Sequence, residues 1–197
     1  MMLAMTSFDT PSTPNAPVAD AGADFALVRR AAGGDVAAFE QIYRAHSRRA
    51  YATILRLMGG DLGRAEDLLQ EAFVKVWQKL AEFRFESAFS TWLHRLAVNV
   101  ALMALRADRA QPLAEDDVDD EGLFLAEARP AAPDLRIDLE ALIPKLPPRA
   151  RAVLLLHDIE GWQHDEIGRE LNMAVGTSKA QLHRARGLLK KWMGVTS

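Results

Sequence analysis

The stretch GTSKAQLHRARGLLKKW, Gly176–Trp192, decides how the rest of the chain is read. Leu182, Leu188 and Leu189 recur at helical spacing and form one apolar side. Lys179, His183 and Arg186 lie four and three residues apart and share another side, with Arg184 one residue round from His183. From Ala174 onward there are five bases, Lys179, Arg184, Arg186, Lys190 and Lys191, and no acid. A helix of about 18 residues at about 1.5 Å each is roughly 27 Å long, enough to lie in a DNA major groove. A shorter helical stretch over about 163–171 precedes it, joined through Asn172-Met173. Short helix, tight turn and basic helix make a helix-turn-helix pattern. A basic last turn favours any helix C-terminus, so the turn and the preceding helix carry the reading as a DNA contact.

Moving outward, Pro147-Pro148 breaks the chain and starts a helix through Val153, Leu154 and Leu156 to Gly161. Another helix is expected over Asp134–Leu146. Residues 108–133 hold Glu115-Asp116-Asp117 and Asp119-Asp120-Glu121 among scattered Pro and Ala, which reads as a flexible acidic linker with one helical turn near Leu123–Ala126. Before it come four helices. The first begins near Asp24, with Phe25, Leu27 and Val28 on its inner face, and Gly33-Gly34 ends it. Asp35 caps a second, expected to bury Phe39, Ile42, Tyr43, Tyr51, Ile54, Leu55 and Met58. Asp61 caps a third, whose inner face is Leu68, Leu69, Ala72, Phe73, Val76 and Leu80. The fourth is expected from about Ala88 to Arg106.

The fold class is therefore all-α: a tail over 1–23, a four-helix domain over 24–107, a linker over 108–133 and a helix-turn-helix domain over 134–197. The formal charge of −3 conceals this organisation. Residues 25–110 carry a net +4, residues 111–140 a net −8 and residues 141–197 a net +4. With 49% apolar and 26% charged residues, the composition is that of a soluble globular protein. No apolar run reaches the roughly 20 residues a membrane span needs, and the first 24 residues hold no base and no apolar core of the kind a secretory signal has. A cytoplasmic protein without membrane insertion is expected. There is no cysteine, hence no disulfide or thiolate site. His46, His94, His157, His164 and His183 show no ligand spacing, and no phosphate loop or nucleophile–base pair occurs. Neither a metal, a cofactor nor an enzymatic activity is expected.

One polar stripe asks for a second explanation. Asp67, Gln70 and Glu71 occupy one face of the third helix, beside Glu66, and Lys75 and Gln78 continue it away from the apolar side. Such a stripe is either a solvated face or a docking surface for a partner. Here the residues resemble a family. Arg64-Ala65-Glu66-Asp67-Leu68-Leu69-Gln70-Glu71-Ala72-Phe73 is similar to a segment of region 2 of bacterial sigma factors. Phe83-Arg84 with Ser87-Ala88-Phe89-Ser90-Thr91-Trp92-Leu93-His94-Arg95-Leu96-Ala97-Val98-Asn99 resembles the segment that follows it. Leu146-Pro147-Pro148-Arg149, Gly161 with Glu166-Ile167, and Val175-Gly176-Thr177 with Leu182-His183-Arg184-Ala185-Arg186 resemble region 4. The likeness covers about 24–107 and 134–193 with no third domain between, the arrangement of the extracytoplasmic-function sigma factors.

The resemblance implies a protein that binds core RNA polymerase and directs promoter recognition, DNA melting and initiation. It implies that Glu66, Asp67, Gln70, Glu71 and Lys75 grip the clamp of the beta-prime subunit, and that the second domain meets the flap of the beta subunit. Phe83, Arg84, Ser87, Phe89, Trp92, Arg95 and Asn99 would open and hold the downstream promoter element, with Phe83, Phe85 and Phe89 as candidate stacking faces, at least one of them expected in the core instead, and Trp92 wedged between helices with its edge near DNA. Thr177, Lys179, Gln181, His183, Arg184 and Arg186 would meet the upstream element. An anti-sigma protein is an implied partner, and the free chain is expected to be monomeric. Some residues depart from the family pattern: Ala180 and Gln181 replace the usual Ser and Arg, Ser90 and Val98 stand at often basic positions, Arg64 replaces a common Asp, and Gln163 is a weaker cap than Ser. The linker of 26 residues reaches at most about 85–95 Å. Promoter elements about 17 base pairs apart are separated by about 55–60 Å, so the linker suffices when drawn out. The rival reading is a stand-alone helix-turn-helix regulator using the C-terminal domain alone. An all-helical adaptor leaves the acid-free basic helix unexplained.

Overall fold

The computed structural model describes residues 21–109 and 139–194, and every described element is helical. The helical turn expected near Leu123–Ala126 and the start of the helix expected at Asp134 lie outside these residues. The first group contains α1 (Ala21–Ala32), α2 (Val36–Leu57), α3 (Leu62–Lys79), a 3-10 turn (Leu80–Glu82) and α4 (Phe89–Arg109). The second contains α5 (Leu139–Leu142), a 3-10 turn (Ile143–Lys145), α6 (Pro148–Leu154) with a π turn (Leu155–Ile159), α7 (His164–Leu171) and α8 (Val175–Trp192).

Local chemistry explains the boundaries. The carboxylates of Asp35 and Asp61 each accept a backbone N–H three residues on, from Ala38 and Arg64, at 3.0 Å. Helix α1 begins three residues before the expected Asp24, and α4 runs three beyond Arg106. Helix α7 solves its weak cap from the other side, because the Glu166 carboxylate accepts the Gln163 backbone N–H at 2.8 Å. Gly168 makes the turn between α7 and α8 possible, since a Cβ there would stand 2.8 Å from the Met173 carbonyl oxygen.

Packing follows the apolar stripes. All six residues expected on the inner face of α3 are buried, as are Ile42, Ile54 and Met58 of α2. Phe39, Tyr51 and Leu55 are only partly buried. Tyr43, expected inside, is 40% exposed: its ring meets Phe73 edge-on at 4.6 Å from the rim of the core. In α8, Leu182 and Leu189 are buried with Ser178 and Ala185, while Leu188 is half-buried.

The two groups touch. Arg151 of α6 is 7% exposed and has no carboxylate partner among the described residues. Its Nε donates to the Leu57 carbonyl at the end of α2 at 3.2 Å, and its Nη1 donates to the carbonyls of Pro144 and Leu146 at 3.1 Å each. Orphan carbonyls at a helix C-terminus favour such a cation. Burial nevertheless lowers its pKa from the ordinary arginine value. Gly59, with φ +70°, leaves the room: a Cβ would lie 2.7 Å from Arg151 Nη1. Around this pin lie Arg56 with Glu140 at 2.6 Å, His94 with Glu160 at 2.6 Å and Arg106 with Glu170 at 3.7 Å.

Candidate functional site

Helix α3 presents the first candidate face. Glu66, Asp67, Gln70 and Glu71 are all exposed, and Lys75, half-buried, pairs with Glu71 at 2.6 Å. The acidic stripe has apolar company. Val74 is 55% exposed and Trp77 is 38% exposed, with Trp77 held edge-on to Phe39 at 4.8 Å. Position 74 continues the spacing from Asp67 through Glu71. A valine on an otherwise polar stripe is the sequence signal for this patch, and charge pattern alone does not reveal it.

The second face is α4 and the loop before it. Phe83 and Phe89 are 7% and 1% exposed, so the core place expected for at least one of the three loop rings falls to both of them. They are core rings, 5.4 Å apart edge to face. Trp92 stacks on Phe89 at 5.7 Å, meets Phe83 at 5.3 Å and is half-buried. Arg84 is exposed and Ser87 half-buried in the loop. Trp92, Arg95 and Asn99, three and four residues apart, make one partly exposed stripe on α4. The Asn99 side-chain oxygen is buried without a hydrogen-bond partner. A vacant buried acceptor is unusual in a folded chain.

The third face is α8. Lys179, His183 and Arg184 are exposed and make no ion pair with another described residue, and Thr177 is half-buried at the N-terminal end. Gln181 is half-buried, with its side-chain oxygen enclosed and unpartnered. Arg186 is differently placed. Its Nη2 and Nε donate to Asp158 at 2.6 and 3.1 Å, which ties α8 to the π turn. Burial works against the Asp158 charge, yet hydrogen bonds from Arg186 and His157 outweigh it and lower the pKa.

Sequence reading left His157 and His164 apart. The structure stacks their rings at 4.6 Å across the Gly161 break. His164 Nδ1 shares a 2.9 Å hydrogen bond with Ser178 at the base of α8. Desolvation, then the neighbouring His157, Lys179 and Arg186 charges, hold the His164 pKa below its ordinary value. Among the described residues no group of three or more His, Cys, Asp or Glu could hold a metal ion. No helix among them is long and apolar enough to cross a membrane.

Comparisons with known proteins match this arrangement. Residues 42–111 match the family model "Sigma-70 region 2", and residues 136–189 match "Sigma-70, region 4". The chain is 32% identical over 171 residues to the ECF RNA polymerase sigma factor SigM of Mycobacterium tuberculosis, covering 87% of this chain and 85% of that one. It is 33% identical over 180 residues to the RNA polymerase sigma-H factor of Pseudomonas aeruginosa, covering 85% and 92%. It is also 31% identical over 181 residues to the ECF RNA polymerase sigma-E factor of Escherichia coli, covering 83% and 90%. Among solved structures, the sigma factor RpoE of Bartonella quintana, in complex with the anti-sigma factor NepR, aligns with a TM-score of 0.51. That alignment has 24% identity and covers 81% of this chain and 98% of that one, a likeness of fold.

Proposed function

Because the chain belongs to the extracytoplasmic-function sigma factors of the sigma-70 family, we propose that it joins bacterial core RNA polymerase, selects promoters and starts DNA opening there. The observation that carries this reading is that one chain exposes both kinds of surface. Helix α3 offers an acidic stripe flanked by Val74 and Trp77, and α8 offers unpaired bases on a helix-turn-helix. Mixed apolar and charged surface suits a protein partner. A free cationic helix suits DNA. The chain supplies no chemistry of its own; the polymerase does.

In detail, Glu66, Asp67, Gln70, Glu71 and Lys75 would dock on the clamp of the beta-prime subunit, with Val74 and Trp77 added to that contact. The domain over 134–197 would meet the flap of the beta subunit. Trp92, Arg95 and Asn99, with Arg84 and Ser87, would face the downstream element. Lys179, His183, Arg184, Thr177 and Gln181 would face the upstream one, while Arg186 holds α8 through Asp158. An anti-sigma protein competing for these surfaces is a further expected partner, and the free chain would be a cytoplasmic monomer. The two groups touch here through His94 and Glu160, whereas elements about 17 base pairs apart need about 55–60 Å between readers. Promoter binding would therefore separate them on the acidic linker over 108–133.

Run-off transcription with purified core polymerase tests the reading. Core alone should start non-specifically, and core with the chain should start at one defined position. A stand-alone regulator would instead bind duplex tightly by itself and leave the start sites of core unchanged. Asp67→Arg should weaken competition for core at least tenfold with an unchanged melting temperature. Undiminished competition would remove α3 as the docking face.

A further inference from the structure

Gly187 is a glycine that the fold does not ask for. It lies in the interior of α8, and it is not among the residues whose positive φ favours glycine. A Cβ added there would meet no described atom within 4 Å. Gly168 of α7 is the contrast, since its Cβ would stand 2.8 Å from a carbonyl oxygen and packing there requires glycine. Apart from proline, glycine is the poorest residue for the interior of an exposed helix. Nothing among the described residues offsets that disadvantage at position 187.

What surrounds the missing side chain is charge. On a helix surface the neighbours of a residue stand three and four positions away, which for Gly187 are His183, Arg184, Lys190 and Lys191. All four are exposed, and none makes an ion pair with another described residue. The Cα atoms of a helix lie about 2.3 Å from its axis and the side chains extend to about 5–6 Å. A glycine among four long side chains is therefore a notch about 3 Å deep with a basic rim. Unpaired cations with no apolar member suit phosphates better than the core of a protein interface, where charge is depleted.

The place of the notch along α8 fits the same ligand. Lys179 and Gly187 are separated by about 12 Å of helix, and the major groove is about 12 Å wide. With the first turns of α8 in the groove, Gly187 reaches the groove wall, where a sugar–phosphate strand runs. A recognition helix that reads bases with its first turns can meet the backbone with its last.

We infer that Gly187 is a phosphate seat: the strand bordering the upstream element packs flush on the bare backbone of α8, with Arg184 on one side and Lys190 and Lys191 on the other. The inference rests on the reading of α8 as the upstream DNA contact. It adds to that contact a place that reads no base. The seat sets how deeply and in what register α8 lies, and leaves sequence choice to the side chains before it.

The test sets stability against binding. Gly187→Leu fills the notch with a good helix former at an exposed position, so its melting temperature should equal or exceed that of wild type. Holoenzyme carrying it should bind labelled promoter about tenfold more weakly in fluorescence anisotropy, by the same factor whichever bases occupy the upstream element. Gly187→Ala, which adds a single methyl group, should lie between the leucine variant and wild type. Lys191→Gln should lower the slope of log affinity against log salt by about one. A Gly187→Leu holoenzyme that binds like wild type overturns the inference, as does an unchanged salt slope in Lys191→Gln. So does a Gly187→Leu loss that varies with the upstream bases, the mark of a base contact, or one accompanied by a lower melting temperature, the mark of a packing residue. Should wild-type holoenzyme bind no promoter at all, the reading of the whole chain falls instead, and the two failures are distinguishable.

Discussion

Helices α4 and α8 are both read as facing DNA, yet they are built in opposite ways. Helix α4 lies at the centre of its domain. Leu93, Ala97, Val98, Val100, Ala101 and Leu102 are all 3% exposed or less, so most of its circumference is core. Helix α8 lies at the edge and buries Ser178, Leu182, Ala185 and Leu189, a single stripe. A central helix keeps little surface for a ligand, so the DNA contact proposed for it is confined to the Trp92–Arg95–Asn99 stripe and the loop before it. A peripheral helix can give half its circumference to bases and phosphates. The contrast implies that damage to the first surface should be confounded with folding, and damage to the second should not.

The sharpest way to break that contrast is at Phe89. Its ring is 1% exposed and packs on both Phe83 and Trp92. Phe89→Ala should cost about 3–5 kcal/mol of stability through lost transfer energy and a residual cavity. Thermal unfolding followed by circular dichroism would show it. A small change in melting temperature would mean that the ring is free for DNA after all, and the burial argument would fail.

On α8 the expected effects are smaller and appear in binding. Arg184→Ala should weaken the upstream element by about 1–3 kcal/mol if the guanidinium reaches a base, with the melting temperature nearly unchanged. Arg186→Ala should weaken it less, because that guanidinium is committed to Asp158. Fluorescence anisotropy of holoenzyme on labelled promoter DNA compares the two. Equal losses would show that the Asp158 pair opens onto DNA and that α8 reads with both arginines.

The difference between the helices also decides what the sequence revealed. In α8 the bases and leucines segregate onto separate sides, so its limits and its exposed face were legible from periodicity, and the caps at Asp35 and Asp61 were legible from residue type. Periodicity identifies an apolar face but does not say which neighbour covers it. The resemblance offers Phe83, Phe85 and Phe89 as stacking faces with at least one in the core, and only packing shows which, with α1 and α4 closing over Phe83 and Phe89. Arg151, between Ala150 and Ala152, carries no local sign of its partners. Its burial depends on Leu57 and Gly59, more than 90 residues away. The run Leu154-Leu155-Leu156 has no gap that would betray a π turn, and that turn is what brings His157 onto His164.

The smallest predicted effect sharpens the contrast by locating a pH response in the second domain. His164 is held below its ordinary pKa of 6.5 by desolvation first and then by the charges of His157, Lys179 and Arg186, with Asp158 acting the other way. Below pH 6.5 the unfolded chain therefore takes up a proton at this site more readily than the folded one. Stability contributed by neutral His164 is present in full above pH 6.5 and declines as pH falls through the lower folded value. Asp158 has a different window. Its lowered pKa contributes above 3.8 and is lost only in more acid solution, so it does not mask the histidine. Melting temperatures at about pH 7.5 and about pH 5.5 should differ in wild type and converge in His164→Asn, which keeps an acceptor for Ser178 but does not titrate. A slope that survives the substitution would place the titrating group elsewhere and deprive the stacked histidine pair of any part in positioning α8.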